Sequence, residues 1–227
     1  LSVAVGDEGG FAPDLPGDGA VMEHLVAAVE AAGYRLGLEE EIAFALDVAA
    51  SELFREGAYH LSSEARPLTS EALIARYREL SGKYPIVSIE DGLDENDWAG
   101  WSRMTEALGR KMRLIGDDIF VTHPGRLRRG IEERAANAIL IKLNQIGTVT
   151  ETLLAVRTAA EAGFRVVISH RSGETEDDFI ADLATATGAG WIKTGAPCRS
   201  ERNAKYNRLL RIHEELGESA AYGPLHF

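Results

Sequence analysis

Ala138-Ile139-Leu140-Ile141-Lys142 is a run of apolar residues that stops on a charge, and the segment after it, 148–161, carries apolar residues at helical spacing. A continuous apolar run suits a strand buried on both faces. A reactive group at its carboxyl end, with a helix beyond, is the pattern of a parallel (βα) barrel whose active site gathers at the strand ends. Reading outward in both directions, the pattern recurs. Strands are expected over 42–47, 86–90, 113–117, 138–142, 165–169 and 190–193. They end on Asp47, Glu90, Asp117, Lys142, the trio His170-Arg171-Ser172, and Lys193. Helices are expected over 20–33, 70–81, 97–109, 125–135, 148–161, 174–187 and 201–216. Thr69 with Glu71, Asn96-Asp97, and Thr148 with Glu151 three residues later supply helix start signals.

The competing α/β architecture is a doubly wound sheet, which gathers its site at one switch point. Chemistry at every strand end favours a closed, TIM-type barrel instead. No Pro/Gly/Ser-rich linker interrupts the repeat, so residues 1–227 read as one domain. Six units are two short of the eight a barrel needs. The chain also opens on Leu1, inside an apolar run, so either the fold opens differently or residues that complete the wall are absent from this chain.

The balance of 24 Lys and Arg against 36 Asp and Glu, a formal charge of -12, argues against a nucleic-acid partner. The one dense basic cluster, Arg126, Arg128 and Arg129, reads as a solvated helix end. With Cys198 alone no intrachain disulfide can form, and a reducing, cytoplasmic setting is the simplest expectation. No apolar stretch approaches the roughly 20 residues that span a bilayer, so no membrane insertion is expected.

Asp47, Glu90 and Asp117, acids from successive strand ends with no Cys or His among them, suit a hard dication such as Mg²⁺. Asp91 and Asp118 follow two of them and are expected as supporting partners. Lys142 emerges from an apolar wall beside that cation and can serve as a base, with Lys193 as a second cation. In Ser169-His170-Arg171-Ser172-Gly173-Glu174, Arg171, Ser172 and a helix start would hold a phosphate or carboxylate. Ser169 and His170 are strand neighbours on opposite faces, which excludes a serine nucleophile. Glu8 stands between glycines in Gly6-Asp7-Glu8-Gly9-Gly10, a setting that lets backbone approach a ligand. Asn144-Gln145 and Gly195-Ala196-Pro197 read as loop-shaping, and Trp98 and Trp101 as packing residues. His24, His60, His123, His213 and His226 lack ligand partners at workable spacing.

Taken together, Gly6-Asp7-Glu8-Gly9-Gly10-Phe11-Ala12-Pro13, Ala45-Leu46-Asp47-Val48-Ala49-Ala50-Ser51-Glu52, Tyr84-Pro85-Ile86-Val87-Ser88-Ile89-Glu90-Asp91, Gly116-Asp117-Asp118, Lys142-Leu143-Asn144-Gln145-Ile146-Gly147, Ser169-His170-Arg171-Ser172-Gly173-Glu174 and Ile192-Lys193-Thr194-Gly195-Ala196-Pro197 resemble the enolase (phosphopyruvate hydratase) family. The resemblance covers nearly the whole chain, in family order, and Gly92-Leu93-Asp94-Glu95 looks more like bacterial members. It implies reversible dehydration of 2-phospho-D-glycerate to phosphoenolpyruvate in glycolysis. It also implies Mg²⁺ on Asp47, Glu90 and Asp117, Lys142 as the base at C2, and Glu8 as the acid at the C3 hydroxyl. Glu8, Glu90, Asp117, Lys142, His170, Arg171, Ser172 and Lys193 correspond to substrate-binding positions. A homo-oligomer is implied for the full-length protein. Enolases begin with a capping domain and two further strands, none of which precedes Leu1, so the chain resembles a C-terminal portion expected to be weakly active or inactive alone. Another superfamily member is disfavoured by the lack of a Lys-x-Lys motif. A non-catalytic binding fragment is the remaining alternative, although the chain ends His226-Phe227 rather than on lysine.

Overall fold

The structure is a computed structural model that describes residues 1–222; His226 and the His226-Phe227 end lie outside the described residues. Strands β1 (Phe44–Asp47), β4 (Ile86–Glu90), β5 (Arg113–Gly116), β6 (Ala138–Ile141), β7 (Arg165–Ser169) and β8 (Trp191–Lys193) form one parallel sheet in the order β1-β4-β5-β6-β7-β8. Between β1 and β4, β2 (Phe54–Arg55) and β3 (Ala58–Tyr59) make a small antiparallel hairpin. Helices α3 (Ser70–Lys83), α4 (Trp98–Leu108), α5 (Pro124–Glu133), α7 (Val149–Glu161) and α8 (Phe179–Ala186) connect successive strands of the sheet. Helix α1 (Asp18–Ala31) precedes β1, and α9 (Ser200–Leu216) follows β8. Two four-residue turns of helix, α2 (Ala50–Leu53) and α6 (Leu143–Ile146), sit just beyond the ends of β1 and β6.

The apolar runs are buried on two sides. Leu114, Ile139, Ile141, Val166 and Ile168 pack into the large core beneath the helices. Their strand neighbours Ile115, Ala138, Leu140 and Val167 pack with Trp191 in a second core on the opposite face. The residues that continue this second face to the strand ends are Asp47, Glu90, Lys142 and Lys193, so one parity carries the inner core and the chemistry together.

The sheet is strongly curled. Six flat strands would hold β1 and β8 about 24 Å apart at the usual interstrand spacing. Yet Lys193 Nζ, on β8, lies 2.7 Å from Asp47 Oδ2, on β1. Only a sheet bent into an open barrel wall lets one lysine side chain cross between its two edges. The expected partial (βα) barrel is what the described residues form.

The strands and most helices fall within a few residues of their expected bounds. Thr69 caps α3 by accepting from the Ala72 N–H, Asp97 caps α4 through Gly100, and Thr148 caps α7 by accepting from the Glu151 N–H while its hydroxyl donates to the Glu151 carboxylate at 2.7 Å. The expected helix over 174–187 begins only at Phe179, because Glu174 and Thr175 are engaged in side-chain bonds that fold 171–177 as a loop. The N–H groups of that helix start are therefore not beside Ser172. Of the basic cluster, Arg128 and Arg129 are exposed, as a solvated helix end requires, while Arg126 is half-buried; Arg126 and Arg129 also meet an aromatic ring. They lie over the Trp98 ring at 5.5 and 3.9 Å, and Arg126 Nε donates to the Ile119 carbonyl at 2.6 Å. Among the described residues no helix is long and apolar enough to cross a membrane.

Candidate active site

The strand-end residues converge on one mouth, where the lysines of the later strands reach the acids of the earlier ones. Lys193 Nζ donates to Asp47 Oδ2 and Glu90 Oε1, each at 2.7 Å, and Lys142 Nζ donates to Asp117 Oδ2. Asp47 Oδ1 accepts from the Ala49 N–H at 3.2 Å. Burial opposes the charge on Lys193, but Glu90 and Asp47 outweigh it and hold the ammonium above the ordinary lysine value. Glu90 shows the reverse balance. Burial, against the pull of Lys193 and with the repulsion of Asp47 and Asp117, pushes it up to about 7.

Asp117 is buried, and its Oδ1 has no partner among the described residues. A buried carboxylate oxygen without a donor is costly unless something cationic meets it. An all-oxygen donor set with an open buried oxygen and a carboxylate held near neutrality fits a hard divalent cation. Asp47, Glu90 and Asp117 offer such a donor set, but Lys193 engages the first two and Lys142 the third, so a cation held by all three would have to displace these contacts.

Asp91 and Asp118 are placed differently from those three. Oxygens of Asp91, Asp117 and Asp118 come within 4.8 Å of one another, a grouping that could also hold a metal. Both Asp91 oxygens, however, already accept backbone N–H groups, from Asp117 at 2.9 Å and Asp118 at 3.0 Å. Asp91 thus anchors the end of β5, from a backbone in the left-handed region (φ 43°) immediately after Glu90. Burial raises its carboxyl to about 8 despite those two bonds.

On the other side of the mouth, Glu8 faces His170, with Oε2 3.4 Å from Nε2. His170 first, then Lys193 and Arg202, hold the Glu8 carboxyl down at about 2, against the effect of its partial burial. Of the glycines around Glu8, Gly9 is required by packing, whereas Gly6 and Gly10 have no such close neighbour. A Cβ on Gly9 would stand 2.8 Å from the Cys198 carbonyl, and one on Gly195 2.6 Å from the Glu8 carbonyl. The Ala196 N–H donates to that same Glu8 carbonyl at 2.8 Å. Gly195-Ala196-Pro197 is thus the seat of the Glu8 loop.

Arg171 is aimed by Asn144, whose Oδ1 accepts from Nη1 at 2.9 Å, and Ser172 lies one residue further along the same exposed loop. Sequence reading gave Asn144 only a loop-shaping role. It also missed two cations of α9. Arg202 and Lys205 are buried, Arg202 against His170 and Lys205 with its ammonium on the Thr175 and Glu201 carbonyls. The one available signal was their spacing of three, which puts both on one face of a helix.

With that geometry in view, the match to known proteins is direct: residues 1–227 match the family described as "Enolase, C-terminal TIM barrel domain". The chain belongs to the enolase family. It is 57% identical over 222 residues to "Enolase 1" of Methanospirillum hungatei JF-1, covering 98% of this chain and 52% of that protein. It is 60% identical over 214 residues to the "Enolase" of Legionella pneumophila strain Corby, covering 94% of this chain and 50% of that protein. This enolase barrel therefore spans about half the length of the curated relatives it matches. The acid and lysine cluster is carried by a chain that these relatives match almost throughout.

Proposed function

We propose that residues 1–227 form the partial catalytic barrel domain of an enolase that interconverts 2-phospho-D-glycerate and phosphoenolpyruvate with Mg²⁺, as a carbon–oxygen lyase of glycolysis. The observation that carries the reading is the strand-end cluster itself: Lys193 on Asp47 and Glu90, and Lys142 on Asp117, at one barrel mouth, with Glu8 facing His170 there.

The proton to be removed, next to a carboxylate, is a very poor acid because its loss builds a second negative charge on that carboxylate. Enolase-type sites are a standard illustration of a lysine base working beside one or two Mg²⁺ ions. When bound at Asp47, Glu90 and Asp117, the cation would supply positive charge against that dianion. The chain's own residues do the rest. Lys142 takes the C2 proton at Nζ as a neutral amine, so its pair with Asp117 has to open and its ammonium has to release a proton to solvent first. Lys193, held charged by two acids, stays an ammonium and stabilises the developing charge rather than moving a proton. His170, Arg171 and Ser172 line the side where an anionic substrate would enter, with the guanidinium already aimed by Asn144. Glu8 is ionised in the free site, so its role as acid at the C3 hydroxyl requires it to take up a proton when the anionic substrate arrives among its cationic neighbours.

A cytoplasmic setting and a homo-oligomeric full-length protein accompany this reading. Its test is formation of phosphoenolpyruvate from 2-phosphoglycerate by the full-length protein, followed by ultraviolet absorbance. Turnover that is lost with chelator and restored by Mg²⁺ supports it, and no turnover with any divalent cation refutes it.

A further inference from the structure

We propose that Arg202 is a positioning residue of this site, fixing the tautomer of His170 and tying the Glu8 loop to the His170–Ser172 loop. Arg202 stands in the first turn of α9 with none of its surface exposed. Burying a guanidinium is expensive unless its donors are used and its charge is matched. Among the described residues no carboxylate pairs with it. Its donors go elsewhere: Nη1 to His170 Nδ1 and to the Arg171 carbonyl, both at 2.7 Å, and Nη2 to the Asp7 carbonyl at 2.8 Å and the Ser172 carbonyl at 2.7 Å. A buried cation whose two terminal nitrogens go to neutral acceptors around an active-site mouth, with Nε left without a partner among the described residues, is doing something other than closing an ion pair.

The His170 contact specifies what that is. A guanidinium has five N–H donors and no acceptor. Nδ1 must therefore present its lone pair, and the hydrogen of the neutral ring lies on Nε2. Nε2 is the nitrogen that faces Glu8 Oε2 at 3.4 Å. In the other tautomer two donors would oppose each other at the Nη1–Nδ1 contact, and Nε2 would turn a lone pair toward a carboxylate. Arg202 also fixes where Glu8 is, because its bond to the Asp7 carbonyl holds the residue immediately before Glu8. One guanidinium thus registers Glu8, His170 and the Arg171–Ser172 backbone against one another.

Positioning of this kind acts on the ring of His170 and, if the proposed dehydration holds, on kcat. The test uses the ¹⁵N-labelled full-length protein. Long-range proton–nitrogen spectra read the His170 ring, assigned by the signals lost in His170→Gln. The parent should show the Nε2–H tautomer. Arg202→Met should show both tautomers and lower kcat about tenfold or more with a smaller change in KM. Arg202→Lys, which keeps a donor, should retain the Nε2–H form and recover part of kcat. A parent ring protonated on Nδ1 alone overturns the proposal, as does a folded Arg202→Met protein that keeps both the tautomer and kcat. Should Arg202→Met not fold, the parent spectrum and Arg202→Lys still decide. Since the spectrum needs no turnover, an Nε2–H parent that leaves 2-phosphoglycerate untouched refutes the proposed reaction while supporting this assignment.

Discussion

At the scale of single residues, the site is built from groups whose charges are settled by their neighbours. Glu90 and Asp91, consecutive in the chain, are both driven upward by burial, to about 7 and about 8. A carboxyl with a raised folded-state value binds a proton in the fold at pH values where the unfolded chain has lost it. Stability is therefore fullest on the acid side and declines as pH rises from about 4 through about 8. Metal-stripped full-length protein should show a melting temperature that falls over this window, and Glu90→Gln should shallow that fall. An unchanged slope in Glu90→Gln would remove Glu90 from the account. A divalent cation that binds the folded state should raise the melting temperature with the logarithm of its free concentration once that exceeds Kd, and Asp117→Asn should abolish most of that rise. The strand-end acids and lysines were legible in the sequence because a strand's parity and its last residue are local facts. Arg202 and Lys205 were not, since a charged residue on a helix ordinarily marks a solvated face and its burial depends on loops distant in sequence.

At the scale of elements, the connections after the strands do the aiming. The β8 loop seats Glu8 through Gly195, whose φ of 82° and lack of Cβ let the Glu8 carbonyl approach. Gly195→Ala would meet that carbonyl at 2.6 Å in a left-handed backbone that costs a non-glycine residue about 1–2 kcal/mol. The expected outcome is a lower melting temperature together with a turnover loss larger than stability explains, checked by calorimetry and steady-state kinetics on one preparation. Capping chemistry made the starts of α3, α4 and α7 readable from Thr69, Asp97 and Thr148. The start of α8 was misjudged because Glu174 and Thr175 spend their side chains on nearby backbone N–H groups, a competition that periodicity does not register. The β2–β3 hairpin escaped notice for a similar reason: each strand is two residues long.

At the scale of the molecule, the decisive feature is curvature. The edges β1 and β8 are not hydrogen-bonded to each other, yet Lys193 spans between them to Asp47. Each edge keeps unpaired backbone groups that invite further strands. Residues 1–227 expressed alone are accordingly expected to associate and to turn over 2-phosphoglycerate at least about a hundredfold more slowly than the full-length protein, because misplacement of the β1 and β8 groups by even an ångström is costly. Size-exclusion chromatography with a coupled assay checks both parts. The central claim is that Lys142 removes the C2 proton while Glu8 acts later, at C3. The most direct test is exchange of that proton with D₂O in 2-phosphoglycerate, followed by NMR in the full-length protein with Mg²⁺. Exchange should persist in Glu8→Gln, which forms no phosphoenolpyruvate, and vanish in Lys142→Ala; exchange that survives in Lys142→Ala would contradict the account.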